Sequence, residues 1–229
     1  MMANNMYKNT QFHRIPLQRK AAPKGKRRWF RIRIDGGMGG HAETDINKGR
    51  CSAVIPTWAV LTTVYNEYDF DLASIRVGEA DESIASTAEM VLTIPSGEAA
   101  DFVKLQQDMM NEWLREEYPN DPKMTCIIEK CEQQDTVIAN EVFEALMSCL
   151  EQIPQGVIKM SETEKDMVET SNNVGRIITG QDSILVTTLT HSLIENEMKA
   201  LSQDIANVFK ACGASSNADV QRGASLVIL

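Results

Sequence analysis

The 229-residue chain lacks the features that define several common protein classes. No apolar run approaches the roughly 18 residues that a membrane-spanning helix needs, and the N-terminus lacks the apolar core of a secretory signal. The five cysteines are scattered, odd in number and without a C-x-x-C pair, which indicates reduced thiols. We therefore expect a cytoplasmic protein with no membrane segment and no disulfide framework.

Metal-binding motifs are also missing from the sequence. A two-metal hydrolase site needs about five His, Asp or Glu ligands and a carboxylate base. The three histidines, His13, His41 and His191, lie far apart, and none belongs to an H-x-D or H-E-x-x-H motif. The pair Glu116–Glu117 falls on an amphipathic helix and is interpreted as a solvated face rather than a general base. We predict no metal and no cofactor in this chain.

The net charge of −9 conceals an asymmetry. Residues 1–33 contain ten Lys or Arg and no Asp or Glu, which leaves 13 basic and 32 acidic residues in the remainder. A basic arm can be a nucleic-acid tail, a solvated linker or a piece of a larger domain. The acidic body is unsuited to following a phosphate backbone, so nucleic acid ranks last among the expected partners.

Hydrophobic periodicity divides the chain into three parts. Residues 1–28 have no clear period and are predicted to be an extended basic segment, while residues 214–229 are predicted to be an irregular tail left by truncation. Residues 154–165 are predicted to be a loop. Between the two ends, the pattern predicts strands at 29–35, 70–77, 88–94, 123–132, 168–179 and 183–191, and helices at 53–65, 96–118, 135–153 and 194–213.

These elements predict one α+β domain over residues 29–213. Strands and helices alternate without a Rossmann turn, so an antiparallel sheet with helices packed on one face is the expected architecture. Ser96 and either Asp135 or Thr136 are predicted helix caps, and Gly213 is the predicted stop of the last helix.

The segment GGMGGHAETDINKGR, residues 36–50, carries the most specific signal. Four glycines in five positions precede His41, and the segment follows a predicted strand and precedes a predicted helix. Such a segment turns tightly and presents one imidazole. It lacks both G-x-x-x-x-G-K-[ST] and G-x-G-x-x-G, so a phosphate cradle is disfavoured.

This segment resembles the GGHSG signature of the aminoacyl-histidine dipeptidases, the PepD-like zinc peptidases. A second run, IPQGVIKMSETEKDMVETSNNVG at 153–175, is similar to that family's VETS-x-N-x-G signature. In the family, both signatures belong to a lid domain inserted into a zinc-binding catalytic domain, and the lid also forms the dimer. The resemblance covers residues 29–214 and implies a lid or dimerisation portion that is inactive alone, with zinc and dipeptide bound only through a catalytic domain.

The resemblance also implies roles for three residues. His41 corresponds to a lid histidine that contacts substrate and stabilises the developing oxyanion, and Asn173 to a substrate-contacting amide, although Asn173 is also interpreted as an amide that holds a strand end. His191 stands where the family has an arginine that grips the substrate carboxylate. Ala42–Glu43 replace the family's Ser-Gly, so substrate binding departs from the family pattern.

Three functions remain open from the sequence, in this order. The first is a fragment of a zinc dipeptidase for Xaa-His dipeptides, and whether the chain itself is an enzyme stays open. The second is a non-catalytic module that forms a homodimer through the lid fold. The third is nucleic-acid binding through residues 1–33.

Overall fold

The computed structural model describes residues 6–222. Over these residues the chain forms strands β1 (Tyr7–Pro16), β2 (Arg19–Ala21), β3 (Arg27–Asp35), β4 (Gly40–His41), β5 (Asp71–Val77), β6 (Ser83–Ile84), β7 (Ala88–Pro95), β8 (Thr125–Lys130), β9 (Thr136–Ile138), β10 (Gly156–Met160), β11 (Val168–Thr179), β12 (Ser183–Ser192) and β13 (Ser215–Arg222). The helices are α1 (Val54–Glu67), α2 (Ala99–Glu117), α3 (Asn140–Gln152) and α4 (Glu195–Ala211). None of these helices is both long and apolar enough to cross a bilayer.

A nine-stranded sheet organises the fold. Its strand order is β13-β1-β12-β11-β5-β7-β3-β8, and β10 pairs with β11 beside this path. Every pairing in the sheet is antiparallel. Two short ribbons, β2–β9 and β4–β6, lie outside it. The predicted α+β class with an antiparallel sheet is confirmed.

The helices pack on one face of this sheet. Alternation along the paired strands puts His13 of β1 and Phe30 of β3 on the same face. Phe30 meets Phe102 of α2 with ring centroids 5.2 Å apart, and His13 stacks on Phe209 of α4 at 3.9 Å. The main core forms between sheet and helices, and a smaller cluster that contains Trp29 lies under the β2–β9 ribbon on the opposite face.

The prediction of a loose N-terminal segment is wrong for residues 7–16. They form β1, which lies inside the sheet between β12 and β13. The strand escaped notice because it buries polar side chains, including Asn9, Gln11 and His13, instead of an apolar row. Its neighbour β12 presents the hydroxyls of Thr188 and Thr190 on the same face, so the interior here is partly polar.

The prediction of an irregular C-terminal tail is likewise wrong for residues 215–222. They form β13, paired in register with β1 from Arg14–Ser215 to Tyr7–Arg222. The remaining residues, 223–229, with their apolar end, lie outside the described part of the chain. β13 is a polar strand, SSNADVQR, at the sheet edge, and a polar edge strand carries little periodicity.

Three local predictions also fail. Helix α2 begins after Glu98 with no side-chain cap, so Ser96 is not its N-cap. Helix α3 begins at Asn140 because residues 136–138 form β9 on β2. Residues 156–160 form β10 instead of a loop. In contrast, β11 and β12 form the expected hairpin, and Gly213 follows α4 with a φ of +80° as expected for a helix stop.

Candidate functional site

The sheet face opposite the helices brings the motif residues together at strands β1, β12 and β11. In the strand register, His191 of β12 pairs with Lys8 of β1 on one side and with Ser171 of β11 on the other. Cross-strand partners share a face, so these three side chains form one row. The glycine-rich segment, residues 36–50, lies beside this row. We call the group His41, Glu43, Glu82, Lys8 and His191 the charged cluster.

The glycine-rich segment presents His41 to solvent. His41 pairs with Ser83 in the β4–β6 ribbon, and the next residue, Ala42, donates its N–H to the carbonyl of Glu82 at 2.9 Å. The imidazole is 47% exposed, and its Nε2 lies 3.9 Å from a carboxylate oxygen of Glu82. Its Nδ1 accepts the N–H of Glu43 at 3.3 Å. This orients the ring and leaves Nε2 toward Glu82 and solvent.

Asp45 holds the turn behind His41. Its carboxylate accepts hydrogen bonds from the N–H of His41 at 2.9 Å and from the Lys48 amine at 2.5 Å. The same carboxylate lies 3.3 Å from the Arg50 guanidinium. The hydrogen bond from Lys48, followed by that from His41, lowers the pKa of Asp45. Gly40 has a φ of +135°, and a side chain there would collide with both Asp45 and Arg50. The glycine is therefore required by this ion-paired turn.

Asp121 fastens both ends of the glycine-rich segment. Its two carboxylate oxygens accept the N–H of Met38 at 2.9 Å and the N–H of Cys51 at 3.2 Å, and the residue is buried. Asp121 therefore holds Met38 and Cys51, near the two ends of the segment, close to each other.

Replacing Asp121 by alanine should lower the free energy of unfolding by about 2 kcal/mol, because the buried N–H of Cys51 and the half-buried N–H of Met38 lose a charged acceptor. Chemical denaturation measures this change. Asp108→Ala, which removes an exposed carboxylate on α2, is the matched control and should stay within about 0.5 kcal/mol of the unsubstituted protein. Equal effects of the two substitutions would contradict the role of Asp121.

Lys8 links the two histidines of the charged cluster. Its amine donates to both oxygens of Glu82 at 3.0 and 3.1 Å and lies 3.6 Å from Glu43. Burial opposes the charge on Lys8, but hydrogen bonds and attraction from Glu82 and Glu43 outweigh it and raise its pKa. Sequence reasoning missed this residue because Lys8 fell in the segment interpreted as a loose basic arm. An alternating pattern in β1 would have been the only signal, and β1 has none.

His191 is buried without a partner in the structure. It is 3% exposed, and among residues 6–222 neither ring nitrogen finds a hydrogen-bond partner. Burial lowers its pKa, with a smaller opposite effect from Glu43 and a further lowering effect from Lys8. The ring is therefore neutral at pH 7, with one donor and one acceptor free.

Asn173 lies on the same face as His191 but uses its amide to hold another strand. Its side-chain NH₂ donates to the carbonyl of Ser83 at 2.9 Å, and its side-chain oxygen accepts from Gln155 at 3.2 Å. Ser83 is the strand partner of His41. Asn173 thus supports the β4–β6 ribbon that positions His41. This contact corresponds to the second interpretation of Asn173, an amide that holds a strand end.

The site offers two imidazoles, one amine and two carboxylates, but no metal centre. Within residues 6–222, no group of three or more His, Cys, Asp or Glu side chains is arranged to hold a metal ion. Glu116 and Glu117 are exposed near the end of α2, as predicted for a solvated face. The charged cluster can donate hydrogen bonds to a ligand and accept hydrogen bonds from it.

Comparison with known proteins gives two informative similarities. The chain is 25% identical over 208 residues to the cytosol non-specific dipeptidase of Escherichia coli (strain K12), which covers 89% of this chain and 42% of that protein. It superposes on the crystal structure of the aminoacylhistidine dipeptidase from Vibrio alginolyticus with a TM-score of 0.88 and 24% identity, over 93% of this chain and 44% of that one. No family profile matches the chain.

These similarities confirm the resemblance to PepD-like dipeptidases and show that it is partial. The chain spans less than half the length of both relatives. A hydantoinase/carbamoylase-family amidase from Burkholderia multivorans aligns with a TM-score of only 0.37, too low to carry any argument. The shared fold is therefore that of one portion of a dipeptidase.

Proposed function

We propose that this chain is the lid and dimerisation portion of a zinc-dependent dipeptidase for Xaa-His dipeptides, and that it is inactive alone. The observation that carries the proposal is the superposition of 93% of this chain on 44% of a dipeptidase. The other part of such an enzyme would supply the zinc ligands and the catalytic base that works with them, since no described group of three or more His, Cys, Asp or Glu side chains is arranged to hold a metal ion. We also propose a cytoplasmic location, because the similar protein of Escherichia coli is a cytosol dipeptidase.

In this proposal His41 is the residue that acts on the substrate. Its exposed Nε2 is available as a donor to the oxygen that gains charge when water attacks the peptide carbonyl. Removing one such donor from an enzyme typically lowers the rate by about 100-fold to 1,000-fold. Asp45 and the N–H of Glu43 hold the loop and the ring, so the donor is positioned before the substrate arrives.

The arrangement of the chain ends supports an inserted domain. Tyr7 of β1 and Arg222 of β13 are register partners in neighbouring antiparallel strands, so the fold is entered and left at one place. A domain inserted into another one needs this geometry, because both junctions must meet the same site on the host.

Zinc analysis and peptide hydrolysis test the proposal. The purified chain should contain far less than one zinc ion per molecule and should not hydrolyse β-alanyl-histidine in the presence of added zinc, because the part of the chain that the structure describes has no zinc ligand set. Emission spectrometry of the dialysed protein and a histidine-release assay are the measurements. About two zinc ions per chain together with turnover would overturn the proposal.

A non-catalytic dimeric module is the second candidate, and one observation favours it. Strand β10 pairs with β11 on one side and exposes Val157, Ile158 and Met160. Exposed apolar side chains on an edge strand suit pairing with another strand. Both candidates predict a dimer in sedimentation equilibrium, so a hydrolysis assay separates them. Hydrolysis that is restored when the catalytic portion of a dipeptidase is added favours the first candidate, and a stable dimer that restores none favours the module.

The nucleic-acid hypothesis receives less support from the geometry. Lys8 is half-buried beside Glu82, Arg27 bonds to Asp69, and β1 is part of the sheet rather than a free arm. Further basic residues of the segment are also paired with carboxylates: Lys20 with Asp71, Arg31 with Glu89 and Arg33 with Glu129. These ion pairs neutralise part of the positive charge that would otherwise attract a nucleic acid.

A further inference from the structure

A groove between helices α1 and α3 lies outside the charged cluster and has no role in the proposed function. It has a volume of about 380 Å³. Its walls include the apolar side chains Trp58, Tyr65, Phe143 and Met147 and the carboxylates of Glu144 and Glu151. Both glutamates are exposed, and Tyr65 is 51% exposed, so the groove opens to solvent.

Aromatic rings form one wall of this groove. Tyr65 meets Phe143 with ring centroids 5.6 Å apart, and Phe70 packs against Phe143 behind it at 5.1 Å. The Tyr65 hydroxyl donates to a carboxylate oxygen of Glu144 at 3.2 Å. This bond places a negative charge directly beside an exposed aromatic ring.

The charge around the groove has one sign. Helix α1 (VIPTWAVLTTVYNE) contains one glutamate, α3 (NEVFEALMSCLEQ) contains three, and neither helix contains Lys or Arg. Helices α2 and α4 carry both signs. Among the described residues, no basic side chain pairs with Glu144 or Glu151. The rim carboxylates are therefore free to meet a cation from outside.

We propose that the α1–α3 groove binds a segment of a partner protein that presents an arginine or lysine beside apolar side chains. The guanidinium or ammonium group would lie over the ring of Tyr65 or Trp58, where the face of an aromatic ring attracts a cation. Glu144 and Glu151 would neutralise its charge, and Met147 with Phe143 would contact the neighbouring apolar side chain. Charge complementarity selects this partner, since an acidic segment or a nucleic acid would be repelled.

Fluorescence anisotropy with a short labelled peptide that alternates leucine and arginine tests the proposal on the full chain. The peptide should bind, and the same peptide with glutamate in place of arginine should not. The double substitution Glu144→Gln/Glu151→Gln should weaken binding about tenfold, because two exposed ion pairs are lost. Tyr65→Leu should weaken binding severalfold, because an exposed cation–π contact is lost.

The matched control is Glu116→Gln/Glu117→Gln, which removes the same charge from the exposed end of α2. It should change the affinity by less than about twofold, because those carboxylates lie outside the groove. No binding of the arginine peptide, or equal weakening by both double substitutions, would overturn the proposal. Self-association of the chain that is lost in Glu144→Gln/Glu151→Gln would also overturn it, because the groove would then be an interface between copies.

Discussion

Acidification from pH 7 to pH 4 should lower the free energy of unfolding by about 3 kcal/mol through His13 alone. His13 is fully buried, stacks on Phe209 and bonds through its ring nitrogens to Ser216 and Thr188, at 2.7 and 3.0 Å. Burial lowers its pKa from 6.5 to about 4. Between these two pKa values the imidazole is protonated in the unfolded chain and neutral in the folded chain. The free energy of unfolding therefore falls as the pH is lowered from about 6.5 to about 4.

Urea denaturation at a series of pH values from 7 to 4 measures this loss. The substitution His13→Gln should reduce the pH dependence, although it also lowers stability at pH 7 by disturbing the stack on Phe209. Burial lowers the pKa of His191 as well, so part of the dependence should remain in that variant. Gln203→Asn, an exposed substitution on α4 that removes no titratable group, is the control and should keep the full acid-dependent loss. A variant lacking His13 with an unchanged pH profile would show that His13 is not the cause.

Replacing Gly78 by alanine should destabilise the fold by about 3 kcal/mol or more. Gly78 has a φ of +72°, and an added Cβ would lie 1.9 Å from the carbonyl oxygen of Gly175 in β11. Both the backbone conformation and the space therefore exclude a side chain. Because Gly78 begins the loop that carries Glu82 and leads to Ser83, the change should also displace the ribbon that positions His41.

Two further glycine substitutions separate the two causes. Gly213→Ala keeps a positive φ of +80° but meets no atom within 4 Å, so it should cost about 1 kcal/mol from backbone strain alone. Gly97→Ala has neither feature and should change stability by less than about 0.5 kcal/mol. Thermal unfolding by circular dichroism compares all three variants. Gly78→Ala no worse than Gly213→Ala would contradict the close approach to Gly175.

Sequence reasoning located the elements whose apolar side chains repeat. The strand β3 and the helices α1 and α4 fell where periodicity placed them, because they bury apolar side chains at a regular spacing. The hairpin of β11 and β12 was located as well, although these strands also bury polar side chains such as Asn172 and His191. β1 and β13 were missed because their pairing is decided by neighbours distant in the chain. A strand such as β1, with Asn9 and Gln11 buried, cannot be recognised without those neighbours.

The site shows the same division. The glycines and His41 were visible from local turn chemistry and from the resemblance. Lys8 and Glu82 were not, because they meet only through the tertiary fold, 74 positions apart. Glu43 stands where the resembled family has glycine, and His191 stands where it has arginine. In the structure, Lys8 lies next to both residues.

The position of β1 has a consequence for how the molecule is made. This strand comes early in the described chain, yet its two neighbours in the sheet are residues 183–192 and 215–222, which are synthesised much later. The sheet cannot close on the ribosome until almost all of the described chain has emerged, and long-range pairings of this kind form slowly. The composition of β1 suits that delay: six of its ten residues are polar or charged, so the unpaired strand exposes less apolar surface than a strand with a continuous apolar row.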